Sequence, residues 1–156
     1  MIDRPAGAGG VLYASGNANS GLSLLVSGER LVFDYNCFGD HHIAESQTGV
    51  PVGASVIGVR FRTLPGRTGR ATLVIDSAES GHVDIPIVML IISSIGPGVG
   101  YDHGSPVSQR YEGPFSFEGV LDRVEIQIRA GRAGLDSDPP AEEIASADVR
   151  QALPWP

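Results

Sequence analysis

The chain has no lysine, a single cysteine, few aromatics and no long apolar run, and each shortage excludes something. With Cys37 alone there is no internal disulfide and no cysteine-based zinc site. The longest apolar stretch, Ile85 to Ile92, is interrupted by Pro86 and is far too short to span a bilayer as a helix. Between Met1 and Gly10 no basic segment is followed by an apolar one, so no signal peptide is expected and the cytoplasm is the expected location. All eleven basic residues are arginines, and they face eighteen Asp and Glu for a net charge of −7. That balance argues against nucleic acid as a partner, because non-specific affinity for phosphates comes from clustered cations.

What is present is globular. Hydrophobic residues are 42% and charged residues 19% of 156, enough for one domain with a core of its own. A chain of this length buries roughly 68–70% of the surface its unfolded form exposes.

The dominant pattern is alternation with period two, the mark of strands with one buried and one wet face. Leu22, Leu24 and Val26 alternate with Ser23, Leu25 and Ser27; past Ser27-Gly28-Glu29, Leu31, Phe33 and Tyr35 alternate with Arg30, Val32, Asp34 and Asn36. Two such runs joined by a short Gly-containing link read as a hairpin. Ile57, Val59 and Phe61 repeat the pattern against Arg60 and Arg62. A turn at Leu64-Pro65-Gly66 then leads to a strand from Ala71 to Asp76. Val124, Ile126 and Ile128 alternate with Arg123, Glu125, Gln127 and Arg129.

Twenty-one Gly and eleven Pro fall mostly between these runs. The expected fold is therefore all-β, an antiparallel two-sheet β-sandwich or jelly roll over residues 1–132. In the remaining tail, 133–156, Asp138 and Pro139 suit a helix start and Glu142 and Glu143 its positive end, giving an expected short helix over 139–152.

Four stretches taken together resemble one family: Gly21-Leu22-Ser23-Leu24-Leu25-Val26, Gly28 to Asn36, Gly104-Ser105-Pro106-Val107-Ser108, and Pro114 to Leu121. In this order, and with the strand Ala71 to Asp76, they are similar to the C-terminal accessory domain that follows the catalytic core of long bacterial arylsulfatases. The closing stretch Phe117 to Ile128 also resembles the last strand of laminin-G-like sandwiches. The resemblance implies a concanavalin A-like jelly roll, and a sulfatase-like catalytic core or a second copy of the chain as partner. The family pattern tends to carry Arg-Asp before Gly-Ser-Pro-Val, where this chain has Tyr101-Asp102-His103.

Sulfatase chemistry itself needs an aldehyde hydrate made from Cys or Ser in a C/S-x-P-x-R motif. Cys37 is followed by Phe38-Gly39-Asp40-His41, and Thr63-Leu64-Pro65-Gly66-Arg67 has the spacing with a Thr, whose secondary hydroxyl oxidises to a ketone. The leading expectation is thus a non-catalytic packing or binding module without the sulfatase active site.

Other readings stay open. Asp40-His41-His42, with Asp102-His103 and His82 as partners, offers carboxylates and imidazoles for acid–base work or a metal, as in a free-standing enzyme acting on an apolar small molecule. The plainer reading is a polar loop closing a strand. Asp102 beside the Gly104-Ser105-Pro106 turn is a candidate calcium ligand, or else a turn residue accepting backbone N–H groups; no other cofactor is expected. Tyr101 and Tyr111 are candidates for an exposed, glycan-stacking surface, whereas Tyr35 falls on the core side with Leu31 and Phe33. Cys37 reads as an inert thiol, and Gly7 to Gly10 and Gly98-Val99-Gly100 as turns, since neither leads from a strand into a helix.

Overall fold

The computed structural model describes residues 1–89, 95–128 and 145–147. It is all-β, with antiparallel sheets and one short 3-10 turn at Pro65–Arg67. The chain divides into two compact units, Met1–Asp122 and Arg123–Pro156.

In the first unit the strands are β1 (Ile2–Arg4), β2 (Gly10–Gly16), β3 (Ser20–Ser27), β4 (Arg30–Cys37), β5 (Asp40–Gly49), β6 (Gly53–Ser55), β7 (Ile57–Leu64), β8 (Thr68–Ile75), β9 (Ala78–Ile85), β10 (Gly98–Val99) and β11 (Val120–Leu121). They form a five-stranded sheet in the order β10-β2-β3-β4-β5, a three-stranded sheet β7-β8-β9 and a small sheet β11-β1-β6. Three of the connections are two-residue hairpins with both central residues at positive φ: Gly28 and Glu29, Phe38 and Gly39, Asp76 and Ser77. That backbone follows the twist of the strands it joins, which fixes register without a longer loop.

One apolar layer lies between the five-stranded sheet and β8–β9. Leu12, Leu24, Val26, Leu31, Phe33, Tyr35 and Ala44 pack with Ala71, Leu73, Ile75 and Ile85; for Leu24, Val26, Leu31, Phe33 and Tyr35 the alternation predicts this face. Each fully buried Leu, Ile or Phe contributes about 1.5–3 kcal/mol relative to exposure. The free edges of the two sheets also meet. The Thr48 N–H donates to Ser80 Oγ at 3.1 Å, and a Cβ at Gly81 would lie 2.6 Å from the Glu45 carbonyl, so the close approach of β9 to β5 requires glycine there.

The other face of the five-stranded sheet is where the structure departs from expectation. Val11, Ala14, Leu25 and Val32 form a second buried cluster with Val107 and Tyr111 from the segment 100–117, which crosses that face. Strands β3 and β4 are therefore buried on both sides; Ser23, Asp34 and Asn36, which the alternation assigned to water, are at most 1% exposed.

Arg4 is likewise buried, its guanidinium donating to the carbonyls of Ala8 (3.0 Å), Val50 (2.8 Å) and Pro51 (3.4 Å). It ties β1 to the chain leading into β6.

In the second unit, β12 (Ile126–Ile128) pairs antiparallel with β13 (Ala145–Ala147). Those three residues correct the helix expected over 139–152; the rest of that span lies outside the described residues. Ile144, Ala147 and Gln151 supply no wide apolar stripe for a helix to bury, while the backbone of β12 offers donors and acceptors at once.

Candidate binding surfaces and the buried polar network

The Asp40-His41-His42 cluster does not converge. Consecutive strand residues point to opposite faces: Asp40 is exposed at the hairpin, His41 sits on the face covered by 100–117, and His42 pairs with Tyr35 towards the other face. His82 stands on the exposed face of the three-stranded sheet. His103 lies against the ring of Tyr101, centroids 5.5 Å apart. Among the described residues, no three of His, Cys, Asp and Glu come together in a way that could hold a metal ion.

His41 has a different partner, one not singled out from the sequence. Asp34, fully buried in β4, accepts from His41 Nδ1 at 2.9 Å and from Ser108 Oγ at 2.5 Å. The trio has the residue types of a nucleophilic triad but the wrong order. The serine hydroxyl is bonded to the carboxylate, not to the imidazole, so nothing activates it. Its evident effect is to fasten segment 100–117 to the sheet. Asn36 does the same from the next position on that face, its amide donating to the carbonyls of Ala18 (2.9 Å) and Val107 (3.1 Å). A signal for this existed: a carboxylate in the middle of the apolar run Leu31 to Tyr35 cannot stay unpaired once buried.

Asp102 is also buried, and its carboxylate accepts the Val107 N–H at 3.0 Å and the Tyr111 hydroxyl. This is the turn-residue reading of Asp102, with a side-chain donor added. Tyr111 is 9% exposed and stacks on Phe115 at 5.6 Å, so it is no surface aromatic, contrary to the expectation; apolar cover over Val11 and Leu25 draws it in. Burial, then the bond to Asp102, pushes its phenol well above the usual range. Tyr101 is exposed, as expected. Cys37 is half-buried, with Sγ 3.4 Å from Met89 Sδ.

Among the described residues, three surface features stand out. On β11-β1-β6, Ile2, Leu121 and Ser55 share the inward side, and Asp3, Val120 and Ala54 the outward side. With flanking Val52 and Val56, that outward side exposes large apolar groups: Val120 is 63% exposed, Val52 62%, Val56 57% and Met1 46%. The second feature is an open bowl of about 350 Å³ on the outer face of β7-β8-β9, lined by Arg60, Arg62, Arg70, Thr72, Glu79 and His82. The third is a shallower depression beside it, between Leu64, Arg70 and Pro86. Neither depression touches Asp34 or His41.

Comparison with known proteins leaves the chain on its own terms: no family model, no curated protein and no solved structure matches it. The class that the fold defines is an all-β sandwich of antiparallel sheets. No helix among the described residues is long and apolar enough to cross a membrane.

Proposed function

We propose that this chain is a non-catalytic packing module, an accessory sandwich of the concanavalin A-like kind similar to the C-terminal domain of long bacterial arylsulfatases. It seats against a protein surface through the outward side of β11-β1-β6. The observation that carries the reading is that Val120 on β11, and Met1, Val52 and Val56 next to the ends of β1 and β6, are all close to half exposed or more. Large apolar side chains left exposed around one small sheet are the material from which contact surfaces are made. A second observation supports it. The carboxylate bonded to histidine and serine, Asp34, is occupied in fastening segment 100–117, and neither of the two surface depressions described above adjoins it. A small enzyme would need a cavity at such a pair.

Sedimentation velocity of the full chain, alone and mixed with a sulfatase-like catalytic core, tests the reading. Self-association or complex formation is expected, abolished in Val56→Glu/Val120→Glu while circular dichroism stays unchanged. A strictly monomeric chain that binds no such core, or one that turns over an aryl sulfate by itself, would overturn it.

A further inference from the structure

The outer face of β7-β8-β9 forms a grid fixed by register. Arg62, Arg70 and Asp84 occupy one row across the three strands, and Arg60, Thr72 and His82 the next. Successive residues on the same side of a strand are about 6.6 Å apart, and paired residues about 5 Å. Thr72, shorter than all its neighbours on this face, is the floor of the bowl, and the arginines and His82 are its rim.

Arg62 directly opposite Arg70 is a like-charge pair, which works against the sheet unless something answers it. Arg70 is answered by Asp84 through two bonds of 2.6 and 3.0 Å, and Arg60 by Glu79 at 2.8 Å. Arg62 meets no acceptor among the described residues. Three guanidinium groups against two carboxylates leave the bowl positive on a chain whose net charge is −7.

We propose that this bowl binds an oxyanion carried by a small molecule: a carboxylate, sulfate or phosphate group. Arg62 is its principal ligand, with bidentate geometry suited to two oxygens. The Thr72 hydroxyl donates from the floor, and Arg70 shares its charge from across the strand pair. The site is open to solvent, so its affinity is weak and salt-sensitive. It is independent of the packing surface on β11-β1-β6, and its loss leaves that reading intact.

The test is an amide-resolved NMR titration of the full chain with sodium acetate, sulfate and phosphate, each matched in ionic strength against sodium chloride. Saturable shifts at Arg62, Arg70 and Thr72 are expected for at least one anion, and the anion that saturates first names the class. Arg62→Ala should weaken binding about tenfold, the loss of one charge-assisted contact. Asp84→Asn should tighten it by freeing Arg70, a gain that a merely structural role for these residues would not produce. Shifts that never saturate, or that Arg62→Ala leaves unchanged, would overturn the site. A parallel titration with long-chain polyphosphate that alone gave a response would replace the site with a diffuse electrostatic surface.

Discussion

The two faces of the five-stranded sheet are covered by different means. One is roofed by another sheet, with Phe33 and Tyr35 meeting Phe61 at centroid distances of 6.4 and 6.0 Å and Leu73 fully buried. The other is covered by a segment with little secondary structure of its own, held down by Asp34 and Asn36 and braced internally by Asp102. Sheet against sheet is held by area, which tolerates small shifts. The covering segment is held by a few directional bonds, each costly to leave unmade.

The comparison breaks most severely on the sheet-covered side. Phe33→Ala should lower stability by about 3–5 kcal/mol in urea unfolding and affect the whole unit together. On the other side Asp34→Ala should cost about 2–3 kcal/mol by stranding His41 and Ser108. Amide exchange should speed up in 100–117 before it does in β8; uniform acceleration would mean the two covers are not separable.

Tyr111→Phe removes a donor from buried Asp102 and should cost about 1–2 kcal/mol near neutral pH. Its pH dependence has a defined sign. A phenol raised in the folded state adds stability that is complete below the unfolded value of about 10, and loses it as pH rises past that value. The wild-type advantage over Tyr111→Phe should therefore shrink in alkaline solution, followed by thermal melts from pH 7 to 11. The smallest effect belongs to the wet face of β7-β8-β9. Arg60→Ala should change stability by less than about 0.5 kcal/mol, since its ion pair with Glu79 is exposed.

The same contrast explains what could be read without coordinates. Leu22, Leu24, Val26, Leu31, Phe33 and Tyr35 are at one spacing and were bound to share a face, and the Gly28-Glu29 turn carried its own hairpin signal. Polar letters on the opposite side looked like water contacts because local pattern records only which residues alternate. Whether Asp34 meets solvent or Ser108 is decided 74 positions away. The candidate histidines failed for a simpler reason: neighbours in a strand are separated by the strand itself. The arginine bowl was half visible, as Arg60 and Arg62 alternating with apolar residues, but its other half comes from β8 and β9 and needed the register.

The meeting of β5 with β9 has a consequence for solubility. Each strand shields the other's border, so neither presents a row of unpaired amides to a stray chain. Beyond β7 no strand follows among the described residues. There, a two-fold encounter centred on Phe61 would bring Arg60 of one molecule opposite Arg62 of the next, and mutual repulsion discourages the stacking that leads to fibrils.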